Sequence, residues 1–337
     1  MYQSDKITVF VCPNFFNYKE VIEAGLIKKT PNIITFSDRP QSSSFSKAII
    51  KFNVLGLRQY FSRQYSQSLF DKLKPVSHNI STLFIVKGTC IDAKLIHDLK
   101  RINSDIKVII YNWDSVSNAQ YFLNLSKVAD RVISFDMNDC LNYSFKYVPL
   151  FCQHGITKNT PVKQKSKKYH FYFIGSYHSD RINVLKRLSE INGSESFVRI
   201  FFQSKLQYAF YWMLDAHLRK APKYWITFTA LSHQLIDDIA IQSNYAVDIH
   251  HDAQYGITMR SWEVIGSKNL LITTNPNILF HVNDETVVVI DRETGREWIE
   301  SERRAFIDNN LSTLALINDY KCVNTIDIWL EKILLTE

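Results

Sequence analysis

Short runs that are apolar at nearly every position recur through the first half of the chain: Ile7–Cys12, Asn32–Phe36, Thr82–Val86, Lys107–Tyr111, Arg131–Phe135 and Lys146–Leu150. A strand that alternates apolar and polar residues has one wet face, whereas one that is apolar throughout is covered on both, as in a parallel sheet. Between these runs apolar residues return at helical spacing, over Glu20–Lys28, Gly56–Leu73 and Asp92–Ile102, the last opened by Asp92 as an N-cap. Alternation of β and α units predicts a doubly wound sheet.

The alternation breaks at Gln153–Lys168, a polar, aperiodic stretch holding Gly155 and Pro161, and then restarts. The second set of strand-like runs is His170–Ile174, Phe197–Phe202, Trp225–Phe228, Tyr245–Ile249, Asn269–Thr273 and Thr286–Ile290. Helical patterns intervene at Asp180–Glu190, Ser232–Ser243 and Thr258–Gly266. The expected fold class is therefore α/β, with two Rossmann-like doubly wound domains facing across a cleft. The expected bounds are residues 1–155 and 169–320, followed by a C-terminal helix over residues 321–337. Two domains also suit the length of 337 residues, since single cores stop growing at roughly 250–300.

Composition narrows the picture. With 46% hydrophobic and 22% charged residues the chain can fill a core. Its net charge of +7 favours an anionic partner. The one dense run, Lys163, Lys165, Lys167 and Lys168, reads as a solvated linker before a phosphate or membrane contact. Five scattered cysteines without a CxxC indicate neither a zinc knuckle nor a redox pair. No run approaches the roughly 18 apolar residues of a membrane span, and no leader precedes the first strand, so the expected location is the cytoplasm.

Open parallel sheets bind ligands at the carboxyl ends of their strands. In the second half that rule selects Gly175–Asp180, with Ser176 and then Arg181, the loop at Gln203, and the segment Asp248–Glu263. Gly175 permits a tight turn into a helix whose free N–H groups can hold a phosphate; the alternative is an ordinary turn with Ser179 or Asp180 as N-cap. In the longer segment, Tyr255, Gly256 and Ile257 lead to Thr258 as N-cap. The backbone donors beside Thr258 and the bidentate cation of Arg260 suit a diphosphate. Glu263 can accept both hydroxyls of a ribose, or can pair with Arg260 on the helix surface. His250 and His251 have no third ligand at metal spacing, so no metal is expected.

The segment QYGITMRSWEVIGSKNLLITTN is similar to the donor-binding region of GT-B glycosyltransferases of bacterial lipopolysaccharide or capsular polysaccharide biosynthesis. FYFIGSYHSDR resembles the first βα loop of that family's C-terminal domain. The resemblance implies a nucleotide-sugar donor held by Thr258, Arg260 and Glu263. It also implies a glycan or lipid-linked acceptor, and transfer without a metal or other cofactor. The paired-glutamate form of the motif is not present: the positions eight residues either side of Glu263 are Tyr255 and Leu271. YNWDSV and VISFDMND resemble the family's acceptor-domain loops.

The acceptor side then falls on Asn14, Lys87, Trp113 and Asp136. Asp114 is the first choice of base for an inverting transfer. Asp114 and Asp136 can each instead cap a helix, and Lys87 can be a snorkelling surface lysine. The aromatic and basic stretch Gln207–Phe228 fits a peripheral contact with anionic membrane, at the inner face, or a core helix before the Pro222 turn. The sequence lacks G-x-G-x-x-G, G-x-x-x-x-G-K-[ST] and G-x-S-x-G, which counts against nicotinamide enzymes, P-loop nucleotidases and serine hydrolases. Without a basic stripe or a recognisable motif, no nucleic-acid partner is expected. The rival from another class is a non-catalytic nucleotide- or glycan-binding protein.

Overall fold

The structure, a computed structural model, describes residues 6–15, 17–40, 57–153, 167–192, 195–267, 269–282, 285–317 and 324–334. Lys163, Lys165, Cys322 and most of the expected linker lie outside the described residues. The first half runs β1 (Ile7–Cys12), α1 (Tyr18–Lys29), β2 (Ile33–Ser37), α2 (Leu57–Leu73), β3 (Ile80–Val86) and α3 (Ala93–Ile102). It continues through β4 (Lys107–Asn112), α4 (Phe122–Ser126), β5 (Arg131–Ser134), α5 (Met137–Tyr143), β6 (Lys146–Tyr147) and β7 (Phe151–Cys152).

The second half opens with β8 (Tyr169–Ser176), α6 (Arg181–Asn192), β9 (Ser196–Phe201), α7 (Lys205–Leu214), α8 (Ala216–Arg219), β10 (Ile226–Thr227) and α9 (His233–Ile241). Then follow β11 (Ser243–Asp248), α10 (Met259–Gly266), β12 (Leu270–Thr273), β13 (Val287–Val289), α11 (Glu300–Asp308) and α12 (Leu311–Ile317). The chain closes with β14 (Asn324–Thr325) and α13 (Ile326–Leu334).

The chain divides into two compact units, residues 1–153 with 324–337, and residues 154–323. The first unit holds a parallel sheet in the order β2-β1-β3-β4-β5-β6. Its inner strands β1, β3 and β4 are buried along most of their length, as their unbroken apolar runs require, whereas the edge strand β2 is half-buried throughout. The last strand is shorter than the apolar run Lys146–Leu150 because Pro149 has no N–H to give to a ladder.

The C-terminal segment returns to this unit rather than standing apart. β14 pairs in parallel with β7. Trp329 is fully buried, with ring centroids 4.9 Å from Tyr111 and 4.8 Å from Phe151. α13 approaches α1 so closely that a Cβ on Gly25 would lie 2.6 Å from Leu330 Cδ1, which explains a glycine in mid-helix despite its cost of about 1 kcal/mol.

The second unit's parallel sheet has the order β10-β9-β8-β11-β12-β13. Phe171, Phe173, Val198, Ile200, Tyr245, Val247 and Ile272 form its core with α6 residues Ile182, Leu185 and Leu188. In sequence rank this is 3-2-1-4-5-6, the Rossmann order, whose crevice lies where the winding reverses, between β8 and β11. The first sheet is ranked 2-1-3-4-5-6, which places its reversal between β1 and β3.

Candidate functional site

The loops leaving β8 and β11 therefore flank the crevice of the second unit, and one side chain ties them together. Arg181 donates from Nε and Nη2 to the Ile249 carbonyl at 3.0 and 2.9 Å, and from Nη1 to the Ser176 carbonyl at 2.7 Å. Its guanidinium lies over Phe173, 5.3 Å from the ring centroid. A Cβ on Gly175 would meet Phe173 Cζ at 2.9 Å and Arg181 Nη1 at 3.2 Å, so the turn accepts only glycine without rearrangement.

α10 begins where β11 ends because Asp248 holds its first turn. Thr258 Oγ1 accepts from the Ser261 N–H at 3.2 Å and donates to Asp248 Oδ2 at 2.6 Å, while Ser261 Oγ donates to the same oxygen at 2.8 Å. The turn before the helix is fixed from β12. Asn275 Nδ2 donates to the Gly256 carbonyl and Asn277 Nδ2 to the Tyr255 carbonyl, both at 3.2 Å. Trp262 is fully buried and anchors the helix body.

Arg260, in the first turn of α10, lies over the same Phe173 ring at 5.3 Å and makes no hydrogen bond or ion pair among the described residues. Arg292, beyond β13, completes the cluster. It donates to Asp180 Oδ1 at 3.0 Å and to the His250 carbonyl at 2.5 Å, and its Nη2 lies 3.3 Å from Thr274 Oγ1. Burial, then the charge of Arg260, pulls the Arg181 guanidinium down to about 9. Burial, then Arg181, pulls His178 down to about 3; burial, then Arg292, pulls His250 down to about 4. Both imidazoles are therefore neutral at pH 7, and His250 Nδ1 stays 2.8 Å from Thr274 Oγ1. The edge can attract an anion and presents one guanidinium, Arg260, with its donors uncommitted.

The first unit's edge has the opposite character. Lys87, strained at φ +64°, ends β3 and donates from Nζ to Asp114 Oδ2 at 2.8 Å. Asn118 Nδ2 reaches Asp114 Oδ1 at 3.5 Å. Trp113 is half-buried, 6.5 Å from the Phe15 ring, and Asn14 is exposed on the loop after β1. Asn14 and Lys87 thus flank this sheet's own reversal. Asp136 is buried and caps α5, accepting from Asn138 and Asp139 N–H groups at 3.0 and 3.3 Å. Asp139 accepts from the Val116 N–H at 2.8 Å, and burial, then Asp136, raises its carboxyl to about 7.

Of the sequence-selected residues, the structure gathers Gly175, Ser176, Arg181, His250 and Arg260 at one edge, with Thr258 at the adjoining helix start. It sets Glu263 one turn further along α10, half-buried. The Tyr255 side chain is exposed, and Gly256 is the buried end of the turn held by Asn275. Gln203 is exposed, its N–H donating to Gln207 Oε1 at 2.8 Å. Arg292 lies outside the sequence-selected segments, and Asp248 and Asp139 lie inside them without a role assigned from sequence. The strand at Thr286–Ile290 was legible, and following it to its carboxyl end leads to Arg292. Among the described residues no three His, Cys, Asp or Glu side chains are placed to hold a metal ion.

No family model matches the sequence, and no curated protein matches it. Among solved structures, the chain is similar to MurG of Acinetobacter baumannii at 11% identity and a TM-score of 0.47, over 98% of this chain and 99% of that one. It is similar to a UDP-GlcNAc 2-epimerase of Neisseria meningitidis bound to UDP-GlcNAc at 11% identity and 0.45, over 97% and 98%. It is also similar to Os79 of O. sativa in complex with UDP at 9% identity and 0.44, over 96% and 97%.

Proposed function

We propose that the chain is a glycosyltransferase that takes a sugar from a nucleotide-sugar without a metal and passes it to a cell-surface glycan or lipid-linked acceptor. The observation that carries this reading is Arg260: a guanidinium stacked on Phe173, at the start of a capped helix, beside two further arginines and, among the described residues, without a hydrogen bond or ion pair of its own. A diphosphate supplies two anionic groups for such donors, and the helix start adds backbone N–H groups. Glu263 then takes the ribose hydroxyls. In an inverting transfer, Asp114 accepts the proton of the acceptor hydroxyl as that oxygen attacks the anomeric carbon. The diphosphate leaves with the bonding pair toward the arginine cluster. Trp113 and Asn14 are assigned to the acceptor; Asp136, buried and committed to its helix, is not.

The test is a thermal-shift series of nucleoside diphosphates and nucleotide-sugars in chelator. A ligand bound only by the folded state raises the melting temperature in proportion to the logarithm of its concentration over Kd. One nucleotide class should stabilise the wild type. Arg260→Ala should leave the unliganded melting temperature in place and weaken that ligand by about 1.5–3 kcal/mol, the range of a hydrogen bond to a charged group. A wild type stabilised by no nucleotide overturns the proposal. A second reading, binding without chemistry, is favoured by one feature: both Asp114 oxygens are already engaged, by Lys87 and Asn118. Donor hydrolysis or transfer by the wild type decides against it.

A further inference from the structure

α7 is apolar on two faces, and only one of them is used. Tyr208 and Tyr211 pack inward, with ring centroids 5.2 Å from Phe202 and 4.8 Å from Tyr177 respectively. Leu206, Phe210, Met213 and Leu214, spaced i, i+4, i+7 and i+8, form a second stripe that faces solvent at 84%, 55%, 66% and 67% exposure. No residue of this helix is buried. Four large apolar side chains aligned on one exposed helix face mark a contact surface rather than scatter.

The charges around the stripe say what covers it. Exposed Lys205 precedes it, and exposed Arg219 and Lys220 follow it. Arg219 Nη1 donates to the Trp212 and Met213 carbonyls at 3.0 Å, which fixes that cation at the stripe's C-terminal end. Over residues 205–220 the only acidic side chain is Asp215, and it is turned to other work. It caps α8 through the His217 N–H at 2.7 Å and accepts from Tyr177 Oη at 2.8 Å. Along residues 205–220 the exposed Lys and Arg charges are therefore not opposed by an exposed carboxylate. Trp212, exposed beside it, belongs to the residue class that settles at headgroup depth.

We infer that the α7 face docks on an anionic lipid bilayer, with Leu206, Phe210, Met213 and Leu214 entering the acyl boundary and Lys205, Arg219 and Lys220 meeting the headgroups. A second copy of the chain is disfavoured because a twofold contact through this stripe would bring the same cations together. Amphipathic interfacial helices combine buried apolar area with attraction to acidic lipid in this way. The inference rests on α7 alone and stands or falls apart from the transferase reading.

The test is co-sedimentation of the full chain with vesicles of phosphatidylcholine alone, or of equal parts phosphatidylcholine and phosphatidylglycerol. The wild type should sediment with the anionic vesicles and at least tenfold less with the neutral ones. Phe210→Ser/Met213→Ser/Leu214→Ser removes only exposed side chains and should keep the melting temperature while lowering the bound fraction at least tenfold. Lys205→Gln/Lys220→Gln should remove most of the preference for anionic lipid. The inference is overturned if the wild type ignores anionic vesicles, or if the serine variant binds them as well as the wild type. A concentration-dependent dimer that the serine substitutions abolish, with no vesicle binding, assigns the face to a second copy and overturns it as well.

Discussion

The chain builds nearly the same sheet twice and gives the two carboxyl edges opposite charge. In the first unit the strand ends gather Asp38, Asp114, Asp136 and Asp139, with Lys87 and Arg39 as neighbouring cations. In the second they gather Arg181, Arg260 and Arg292 with two neutral histidines, while Asp180 is paired with Arg292 and Asp248 is spent holding Thr258 and Ser261. Burial acts on both edges, but on unlike groups. It pushes the Asp139 carboxyl up and the His178, His250 and Arg181 groups down, in each case by disfavouring the charged form. A fold that places loops at a sheet edge does not decide which ion gathers there. A basic edge whose Arg260 is unpaired among the described residues suits an anionic leaving group, and an acidic edge suits the removal of a proton from a hydroxyl.

The sharpest way to break this division of labour is at Asp114. Asp114→Asn keeps the shape and an acceptor for Lys87 but cannot take a proton, so turnover should fall about 10²–10⁴-fold, the usual worth of a general base. Nucleoside-diphosphate binding, read by thermal shift, should not change, because in this division the diphosphate belongs to the other unit's edge. A variant that keeps wild-type turnover removes the first unit's assigned role and leaves a binding protein.

Asp139 comes next in size. Its folded carboxyl titrates near 7, against about 3.8 unfolded. From pH 4 to 7 the folded state therefore holds a proton that the unfolded state has lost, and stability falls as pH rises through that window. Asp139→Asn can still accept from Val116 but never ionises. Its melting temperature relative to wild type should start near zero at pH 4 and climb to a plateau above pH 7. The shift sets a ceiling of about 4 kcal/mol on that gain, or several degrees. A pH-independent difference would remove the buried charge from the account.

Much of the scaffold was legible because burial on both faces writes itself as unbroken apolar runs: Ile7–Cys12 is read to the residue, and β4, β5 and β11 to within one or two. Helix starts were legible where a short polar side chain caps them, as Asp92, Ser232 and Thr258 do. What was hidden is where long side chains go. Arg181 reads like a ligand contact yet spends its donors on the Ile249 and Ser176 carbonyls, joining two loops that the sequence separates. Arg260 reads as a diphosphate cation or as half of a surface pair with Glu263, and its stacking on a phenylalanine of β8 was not legible. Asp136 and Asp139 share one turn, and the sequence does not show that burial, then the charge of Asp136, raises the carboxyl of Asp139.

The smallest effect completes the comparison from the basic edge. His250 titrates near 4 in the folded state and near 6.5 when unfolded, so as pH falls between those values only the unfolded chain takes up the proton. Stability at this edge is thus complete above about pH 6.5 and is lost on acidification, the reverse of the Asp139 slope. His250→Gln abolishes the titration while keeping a side chain able to bond Thr274, so its melting temperature relative to wild type should rise as pH drops from 6.5 to 4. The gain is added to a constant offset from repacking. Measured in the same buffers, the two substitutions should give difference curves that slope in opposite directions. Curves sloping the same way would mean that the net charge of the whole chain, and not the separate character of the two edges, governs its response to pH.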